Sequence, residues 1–192
     1  MKISMKLFLF LLTDSLLLAC PTTIFAASDY VLPYPGVMPG SKVYLLQEFK
    51  NTALQYWYFG TLGQFTYNLK QSDKYLVEAK TLFEYKQYLL ANIALQKSDE
   101  YFQKLSINLD NAAKEGKNIS EKEIILGNAA AKHVEVLQEL EEDLPESFQW
   151  QPEKKEATIL NLRQEIDESI RFREKLLMER SRQLSIVTLL YC

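Results

Sequence analysis

The stretch Gln64-Phe-Thr-Tyr-Asn-Leu-Lys-Gln-Ser-Asp-Lys-Tyr-Leu-Val-Glu-Ala-Lys-Thr-Leu-Phe83 decides the fold, because apolar side chains recur in it at helical spacing. Intervals of four and three residues place such side chains along one face of a helix. The face consists of Phe65, Leu69, Ser72, Leu76, Ala79 and Phe83. We therefore predict a long amphipathic helix whose apolar stripe faces a core.

A second stripe follows, and no glycine or proline lies between Gly63 and Gly116. Its members are Leu90, Ala94, Ser98, Tyr101, Leu105, Leu109 and Ala112. One uninterrupted helix of about 50 residues would be about 75 Å long, which is far beyond the usual length. We therefore predict a break near Glu84–Gln87 and a helix end at Gly116, a residue suited to the left-handed position after a helix.

A shorter helix is predicted before this pair, from Ser41 to Tyr58, with Ser41 as its N-terminal cap. Its apolar residues at helical spacing are Leu46, Phe49, Ala53 and Tyr56. The aromatic run that follows leads into Gly60 and Gly63, which indicate a turn.

A fourth helix is predicted from Ser120, because Ser120 and Glu123 have the spacing of a capping box and Ile119 and Ile124 that of a hydrophobic staple. Its stripe comprises Ile124, Gly127, Ala131, Val134, Leu137 and Leu140. Pro145 is expected to end this helix.

Residues 145–152 are predicted to be a linker and residues 153–192 a long C-terminal amphipathic helix, with Pro152 in its first turn. The stripe comprises Ile159, Leu162, Ile166, Ile170, Leu177, Leu184 and Val187. Arg173 and Arg180 occupy two positions of the same stripe and weaken its later half as core. We expect that copies of the chain could associate through this stripe.

Upstream of the helices, three prolines and two glycines fall within Pro33-Tyr-Pro-Gly-Val-Met-Pro-Gly40. Proline extends the residue before it, and Pro-Gly favours turns. Residues 27–41 are therefore predicted to form an ordered collar that crosses the end of the helical body. The apolar residues available for packing are Tyr30, Leu32, Tyr34 and Val37.

Residues 1–26 have the pattern of a secretory signal peptide. Lys2 and Lys6 precede an apolar region over 7–19, and Ile24-Phe-Ala26 fits a cleavage site. Leu17-Leu-Ala-Cys20 also resembles a lipoprotein box, which leaves a lipidated Cys20 as an alternative. We predict an exported protein that contacts the membrane only through the signal peptide or, alternatively, through a lipidated Cys20.

The collar also carries a resemblance. Tyr30-Val-Leu-Pro-Tyr-Pro-Gly36, Pro39-Gly-Ser41 and Tyr44 resemble the opening of an uncharacterised exported bacterial family, a helical domain of unknown function. A weaker similarity covers Lys132-His-Val-Glu-Val-Leu-Gln-Glu-Leu140. The resemblance implies export and a run of long helices, and it supplies no activity and no catalytic residues.

The residues offer little catalytic chemistry. Beyond residue 26 the chain has one histidine, His133, and one cysteine, Cys192, whereas a zinc site needs three or four ligands. We interpret His133 as a histidine at a helix surface or core edge. No nucleophile elbow or phosphate-binding loop is present. The formal charge of −3 without a basic stripe argues against a nucleic-acid partner. We predict a protein that is not an enzyme and needs no cofactor.

Two clusters are candidate interaction surfaces. The first is the aromatic run Tyr56, Trp57, Tyr58 and Phe59, which we interpret as the packed corner of a bundle in preference to a stacking platform. The second is the acidic group Glu139, Glu141, Glu142 and Asp143, which opposes the dipole at a helix C-terminus and is interpreted as a solvated face.

Together these patterns predict an all-α antiparallel bundle of four or five long helices, with residues 42–144 as its body, behind the Pro-rich collar. The leading functional hypothesis is a non-catalytic exported scaffold or protein-interaction module of the bacterial cell envelope. The alternative is a helical bundle that holds a small molecule, a glycan or a metal outside the cytoplasm.

Overall fold

A computed structural model describes residues 29–153 and 156–190, with side chains described through residue 182. The predictions for residues 1–26, including cleavage after Ala26 and lipidation of Cys20, lie outside the described residues. The described helices are α1 (Tyr44–Gln55), α2 (Gly60–Glu84), α3 (Tyr88–Lys114), α4 (Ser120–Asp143) and α5 (Leu162–Leu190). The predicted all-α bundle is confirmed.

The bundle consists of two antiparallel hairpins, α2 with α3 and α4 with α5. The Oγ atoms of Ser72 and Ser98 meet across the first hairpin at 3.2 Å. In the second hairpin Arg163 Nε donates to the carbonyl oxygen of Leu144 at 2.9 Å, and Arg180 Nη1 donates to Glu123 Oε1 at 3.2 Å. The start of α5 thus meets the end of α4, and a later part of α5 meets the start of α4. The hairpins pack with α2 beside α4, where Lys80 meets Glu139, and α3 beside α5, where Asp99 meets Ser169.

The core is divided into two apolar clusters along the bundle axis. One lies near the α2–α3 turn and includes Leu76, Leu95 and Leu137. The other lies towards the opposite end and includes Phe65, Phe102 and Leu126. Every member of the stripe predicted for α2 is buried, so the periodicity of residues 64–83 was interpreted correctly.

The predicted break between α2 and α3 is confirmed, and its geometry matches the end of α3. At the end of α2, Gln87 N–H donates to the Leu82 carbonyl and Lys86 N–H to the Phe83 carbonyl, both at 2.9 Å. These two bonds define a Schellman motif, in which the residue after the cap is left-handed. Lys86 accordingly has φ 59°, and Gly116 after α3 has φ 74°.

We expect Lys86→Gly to stabilise the protein. A residue with a Cβ atom is strained in the left-handed region by about 1 kcal/mol, and glycine is not. The substitution should therefore raise the free energy of unfolding by about 1 kcal/mol in urea denaturation. Gly116→Ala is the mirror experiment and should lower it by a similar amount. A lower stability of Lys86→Gly would contradict this explanation of the break.

The start of α4 differs from the prediction. Ser120 forms no capping bond, and Ser120 N–H instead donates to the side-chain oxygen of Asn118 at 3.0 Å. Asn118 therefore satisfies one of the free N–H groups at the start of the helix. The predicted staple is also wrong, because Ile124 is 66% exposed and cannot clamp Ile119. The end of α4 before Pro145 is as predicted.

The region after α4 was predicted incorrectly. Residues 145–152 are not a plain linker, since β1 (Phe148–Trp150) pairs antiparallel with β2 (Thr158–Leu160). Helix α5 consequently begins at Leu162, and Pro152 lies in the loop between the strands. The ring of Phe148 packs on Tyr88 at 4.8 Å between centroids, which anchors this hairpin to the bundle.

The stripe of α5 was predicted to pair copies of the chain, but its first half is inside the bundle. Leu162, Ile166 and Ile170 are buried, whereas Ile159 lies in β2 and is exposed. This part of the stripe is therefore unavailable for self-association. The side chains of Leu184 and Val187 lie outside the description.

The collar is ordered over its described residues but follows the side of the bundle. The Tyr30 hydroxyl donates to Asp73 Oδ2 at 2.6 Å, near the middle of α2. Leu32 and Met38 pack against the first apolar cluster, whereas Tyr34 is 96% exposed. The collar therefore does not cross the end of the bundle, as the sequence had suggested.

Candidate functional site

Helix α1 attaches to the bundle with none of its residues buried. It spans Tyr44–Gln55 and therefore lies about three residues inside each of the approximate predicted bounds. Ser41 lies in the preceding turn, where its Oγ accepts only a long 3.4 Å bond from Val43 N–H. An amphipathic surface helix normally turns its apolar stripe towards the core. The side chains of α1 follow the opposite arrangement.

The polar side of α1 faces the bundle. The Tyr44 hydroxyl donates to Glu78 Oε1 at 2.8 Å, and Lys74 Nζ donates to Glu48 Oε1 at 2.5 Å. The Tyr75 hydroxyl donates to the other oxygen of Glu48, also at 2.5 Å. Helix α1 is thus joined to α2 by a row of charged and hydroxyl groups, which we call the polar latch.

The charge states fit this latch. Burial alone would raise the pKa of Glu48, but the bonds from Lys74 and Tyr75 outweigh it and hold the pKa below the ordinary value. Burial dominates at Glu78 and raises its pKa, although the Tyr44 hydroxyl and Lys74 oppose that shift. Glu48 is therefore the ionised centre of the latch at neutral pH, and its charge is neutralised from α2.

The outer side of α1 is apolar and exposed. Leu45, Leu46 and Phe49 are 78%, 68% and 73% exposed. The predicted stripe of Leu46, Phe49, Ala53 and Tyr56 therefore exists, but it faces away from the core. We call the outward residues of α1, together with the aromatic run after it, the α1 surface.

The aromatic run continues this surface. Tyr56, Trp57 and Phe59 are 78%, 78% and 82% exposed, so the interpretation as a packed corner is wrong for these three. Tyr58 alone turns inward, where its ring lies 5.9 Å from that of Tyr67. The run is held in place from α2, because Gln64 Nε2 donates to the Tyr58 carbonyl at 2.6 Å.

An apolar groove of about 610 Å³ lies at the other end of the α1 surface, between α1 and the collar. Its lining comprises Gly36, Val37, Val43, Leu46, Gln47 and Lys50. Val37 N–H donates to Gln47 Oε1 at 3.2 Å, which holds the collar against the helix. Grooves of this kind accept apolar side chains of a partner.

The acidic group of α4 is spread out. Glu139 pairs with Lys80 at 2.8 Å, and that bond lowers the pKa of Glu139. Glu141 is half-buried and Glu142 is exposed. Within residues 29–153 and 156–190, no group of three or more His, Cys, Asp or Glu side chains could hold a metal ion.

Asp143 lines a second cavity, of about 320 Å³, beside the α2–α3 turn. Its apolar lining comes from Phe83, Tyr88, Leu140 and Leu144. Its charged lining comes from Lys80, Glu84, Lys86, Glu139 and Asp143. The cavity thus offers both signs of charge beside an apolar wall.

A buried polar layer separates the two apolar clusters, and the sequence patterns did not predict it. His133 and Arg173 are both 0% exposed, so the assignment of His133 to a surface or core edge is wrong. Arg173 Nε donates to His133 Nδ1 at 3.2 Å, and His133 Nε2 bonds Asp73 Oδ1 at 2.7 Å. Arg173 also reaches Asp99 Oδ1 at 2.6 Å.

The remaining bonds of Arg173 complete the layer. Its Nη2 donates to Ser98 Oγ at 3.1 Å, and its Nη1 contacts Ser169. The guanidinium also lies over the ring of Phe102, with 4.9 Å to the centroid. Groups on α3, α4 and α5 therefore bind the guanidinium directly, and α2 contributes through Asp73, which holds His133.

This layer has no geometry for catalysis. His133 Nδ1 accepts from Arg173, so its Nε2 must carry the proton that Asp73 accepts. Both ring nitrogens are occupied, and a general base needs a free one that reaches the substrate. Burial, with the nearby Arg173 charge, lowers the pKa of His133, so the ring is neutral at neutral pH. The layer fixes the packing of the four helices.

A scan of family models and searches of curated proteins and solved structures found no match for the chain. The fold and site therefore define only a class, namely an all-α bundle of two helical hairpins with a polar layer and an inverted amphipathic helix at its side. None of the described helices is both long and apolar enough to cross a bilayer.

Proposed function

We propose that the protein is a non-catalytic interaction module that binds a protein partner through the α1 surface. The supporting observation is the inverted polarity of α1, whose charged side meets the bundle while Leu45, Leu46 and Phe49 face outward. A helix that presents apolar side chains at three- and four-residue intervals is a common form of protein recognition.

The energetics favour a covered surface. Burying a large apolar side chain contributes about 1.5–3 kcal/mol. A contiguous exposed patch with several such groups is typical of a binding site, whereas single exposed residues are not. Trp57, Tyr56 and Phe59 also belong to the aromatic types that dominate interface hot spots.

The cellular setting that we propose is the bacterial cell envelope. The supporting features are the signal-peptide pattern of residues 1–26 and the resemblance of Tyr30–Gly36 to exported proteins. Both remain predictions.

The binding surface can be tested by photocrosslinking in the cells that produce the protein. A photoreactive amino acid placed at Phe49 should form covalent protein adducts on illumination. The same probe at Ile124, which is similarly exposed but lies on α4, is the matched control and should form none. Equal yields at the two positions, or none at Phe49, would overturn the proposed function.

A ligand-binding bundle is the second candidate, and the cavity lined by Asp143 favours it. Lys80 and Lys86 beside Glu84 and an apolar wall suit a small zwitterion such as an amino acid. Free amino acids in a thermal-shift assay should then raise the melting temperature of the protein. Lys86→Gly should weaken this effect, and a panel without any shift would reject the candidate.

A further inference from the structure

We infer that the occupant of the α1 surface is the α1 surface of a second copy, with the two helices packed antiparallel. This inference rests on the proposed function, since both use the same surface. It adds the identity of the partner and the geometry of the complex.

The spacing of the outward residues suits a helical partner. Leu46, Phe49, Ala53 and Tyr56 are separated by three, four and three residues. That alternation forms the seam along which two helices pack side by side. The small side chain of Ala53 allows a bulky partner residue to approach the helix between Phe49 and Tyr56.

The two ends of the surface complement each other. The groove beside Val37 and Val43 lies at the N-terminal end of α1, and the exposed rings of Trp57 and Phe59 follow its C-terminal end. The helix has 12 residues and is therefore about 18 Å long. In an antiparallel pair, the rings of Trp57 and Phe59 of each copy lie at the groove of the other copy, so the same contact forms at both ends of the interface. A two-fold interface requires this self-complementarity.

The area is sufficient for a stable dimer. Phe49, Tyr56, Trp57 and Phe59 are 73–82% exposed. Aromatic side chains bury about 150–250 Å² each, so these four would contribute roughly 450–800 Å² per copy. Leu45 and Leu46 bring the total to about 800 Å², which is the usual contribution of one partner to a specific interface.

The charges on this surface permit pairing. Glu48 is occupied by Lys74 and Tyr75, so it adds no free carboxylate to the outer side. Lys50 lines the groove, where an inserted aromatic ring would meet its ammonium group in a cation–π contact. Lys42 lies beyond the seam and can remain hydrated.

The first test is the mass of the full chain in solution, measured by sedimentation equilibrium over a range of concentrations. We expect a reversible dimer. Phe49→Glu places a charge at the centre of the seam and should weaken dimerisation about 30-fold or more, as expected for a hot-spot residue. Ile124→Glu is the matched control and should leave the dissociation constant unchanged. Circular dichroism should show both variants folded, since both positions are exposed.

The second test measures orientation by disulfide trapping in a Cys20→Ser, Cys192→Ser background. Antiparallel pairing that brings the rings after α1 to the groove places residue 46 of one copy near residue 56 of the other. A mixture of Leu46→Cys and Tyr56→Cys chains should therefore crosslink, and neither variant should crosslink with itself. Crosslinks between identical positions would indicate a parallel pair and overturn the antiparallel geometry.

The outcomes separate this inference from the proposed function. If the chain is monomeric and the probe at Phe49 forms adducts with a different protein, the dimer is overturned and the interaction module stands. If the monomer instead floats with vesicles that contain anionic lipid, and Phe49→Glu abolishes flotation, the surface binds lipid and both proposals fail. Both fail as well if the monomer forms no adduct.

Discussion

We expect Arg173→Ala to lower the free energy of unfolding by about 3–5 kcal/mol, because it removes one partner of a buried ionic network. The guanidinium makes polar contacts with His133, Asp99, Ser98 and Ser169. Its removal leaves His133 Nδ1 without its donor in a site that is 0% exposed, and it opens a cavity beside Phe102. Each unsatisfied buried group costs about 1–3 kcal/mol.

Arg171→Ala is the matched control for this variant. Arg171 is two positions away on the same helix, but its side chain is 71% exposed and pairs only with Asp167 one turn before. Exposed pairs of this kind contribute about 0.3–0.5 kcal/mol. Urea denaturation followed by circular dichroism compares the two variants directly. A difference below about 1 kcal/mol would mean that Arg173 does not organise the bundle.

Arg173→Lys separates charge from geometry. A lysine keeps the positive charge near Asp99. Its N–H groups all radiate from one nitrogen, whereas Arg173 reaches His133, Asp99 and Ser98 with three separate nitrogens. The ammonium group therefore cannot replace all three contacts at once. We expect it to recover less than half of the stability that Arg173→Ala loses. Full recovery would show that charge alone, without the planar fork, is sufficient.

The sequence predicted the helices well where periodicity and packing agree. In α2 the stripe was continuous and each of its members is buried. The break before α3 was predicted from length alone, since Lys86 is an unusual residue for a left-handed position and gave no local signal. The short strands after α4 had only three residues each, too few for a reliable alternation.

The polar layer could not be predicted because it depends on the relative heights of four helices. Ser72, Ser98 and Arg173 each interrupt an apolar stripe, but only Arg173 was interpreted as weakening its stripe as core, and the two serines were counted as ordinary members. The packed bundle brings them to one level, where they satisfy each other. The useful signal was the recurrence of one polar residue in several stripes.

The orientation of α1 was missed for a related reason. Periodicity predicts that a helix has an apolar side, but it does not state which side meets the bundle. The decisive residues are Lys74, Tyr75 and Glu78 on α2, whose polar groups already occupy the contact. Charged and hydroxyl groups on the neighbouring helix therefore outweigh the apolar stripe of α1, which is left facing outward.

The second large effect is a loss of stability on mild acidification, caused by His133. Burial lowers the pKa of this imidazole below its ordinary value of 6.5, and the charge of Arg173 acts in the same direction. The hydrogen bond to Asp73 and the charges of Asp73 and Asp99 oppose the shift without cancelling it. The proton would also have to enter at Nδ1, which faces the Arg173 N–H at 3.2 Å.

The sign follows from proton binding by the two states. Below pH 6.5 the unfolded chain takes up a proton at His133, and the folded chain does so only at a lower pH. The stability is therefore complete above pH 6.5 and falls as the pH decreases towards the folded-state pKa, by at most about 1.4 kcal/mol per pH unit. Between about pH 7.5 and about pH 5 the loss is at most about 2 kcal/mol.

Urea denaturation of the wild type and of His133→Gln over this pH range measures the contribution of His133. Other titratable groups also change the stability near their own pKa values, but they are present in both the wild type and the variant. Burial raises the pKa values of Glu78 and Glu123, so their contributions to the stability of the folded protein increase as the pH falls. The pKa of Glu48 is lowered, so its contribution is lost only below the ordinary carboxyl range. Subtracting the two profiles removes these shared contributions.

The prediction fails if the free energy of unfolding depends on pH in the same way for the wild type and for His133→Gln. His133 would then take up its proton equally in the folded and the unfolded chain. That outcome would contradict the neutral imidazole that we infer from the bond of Arg173 to His133 Nδ1.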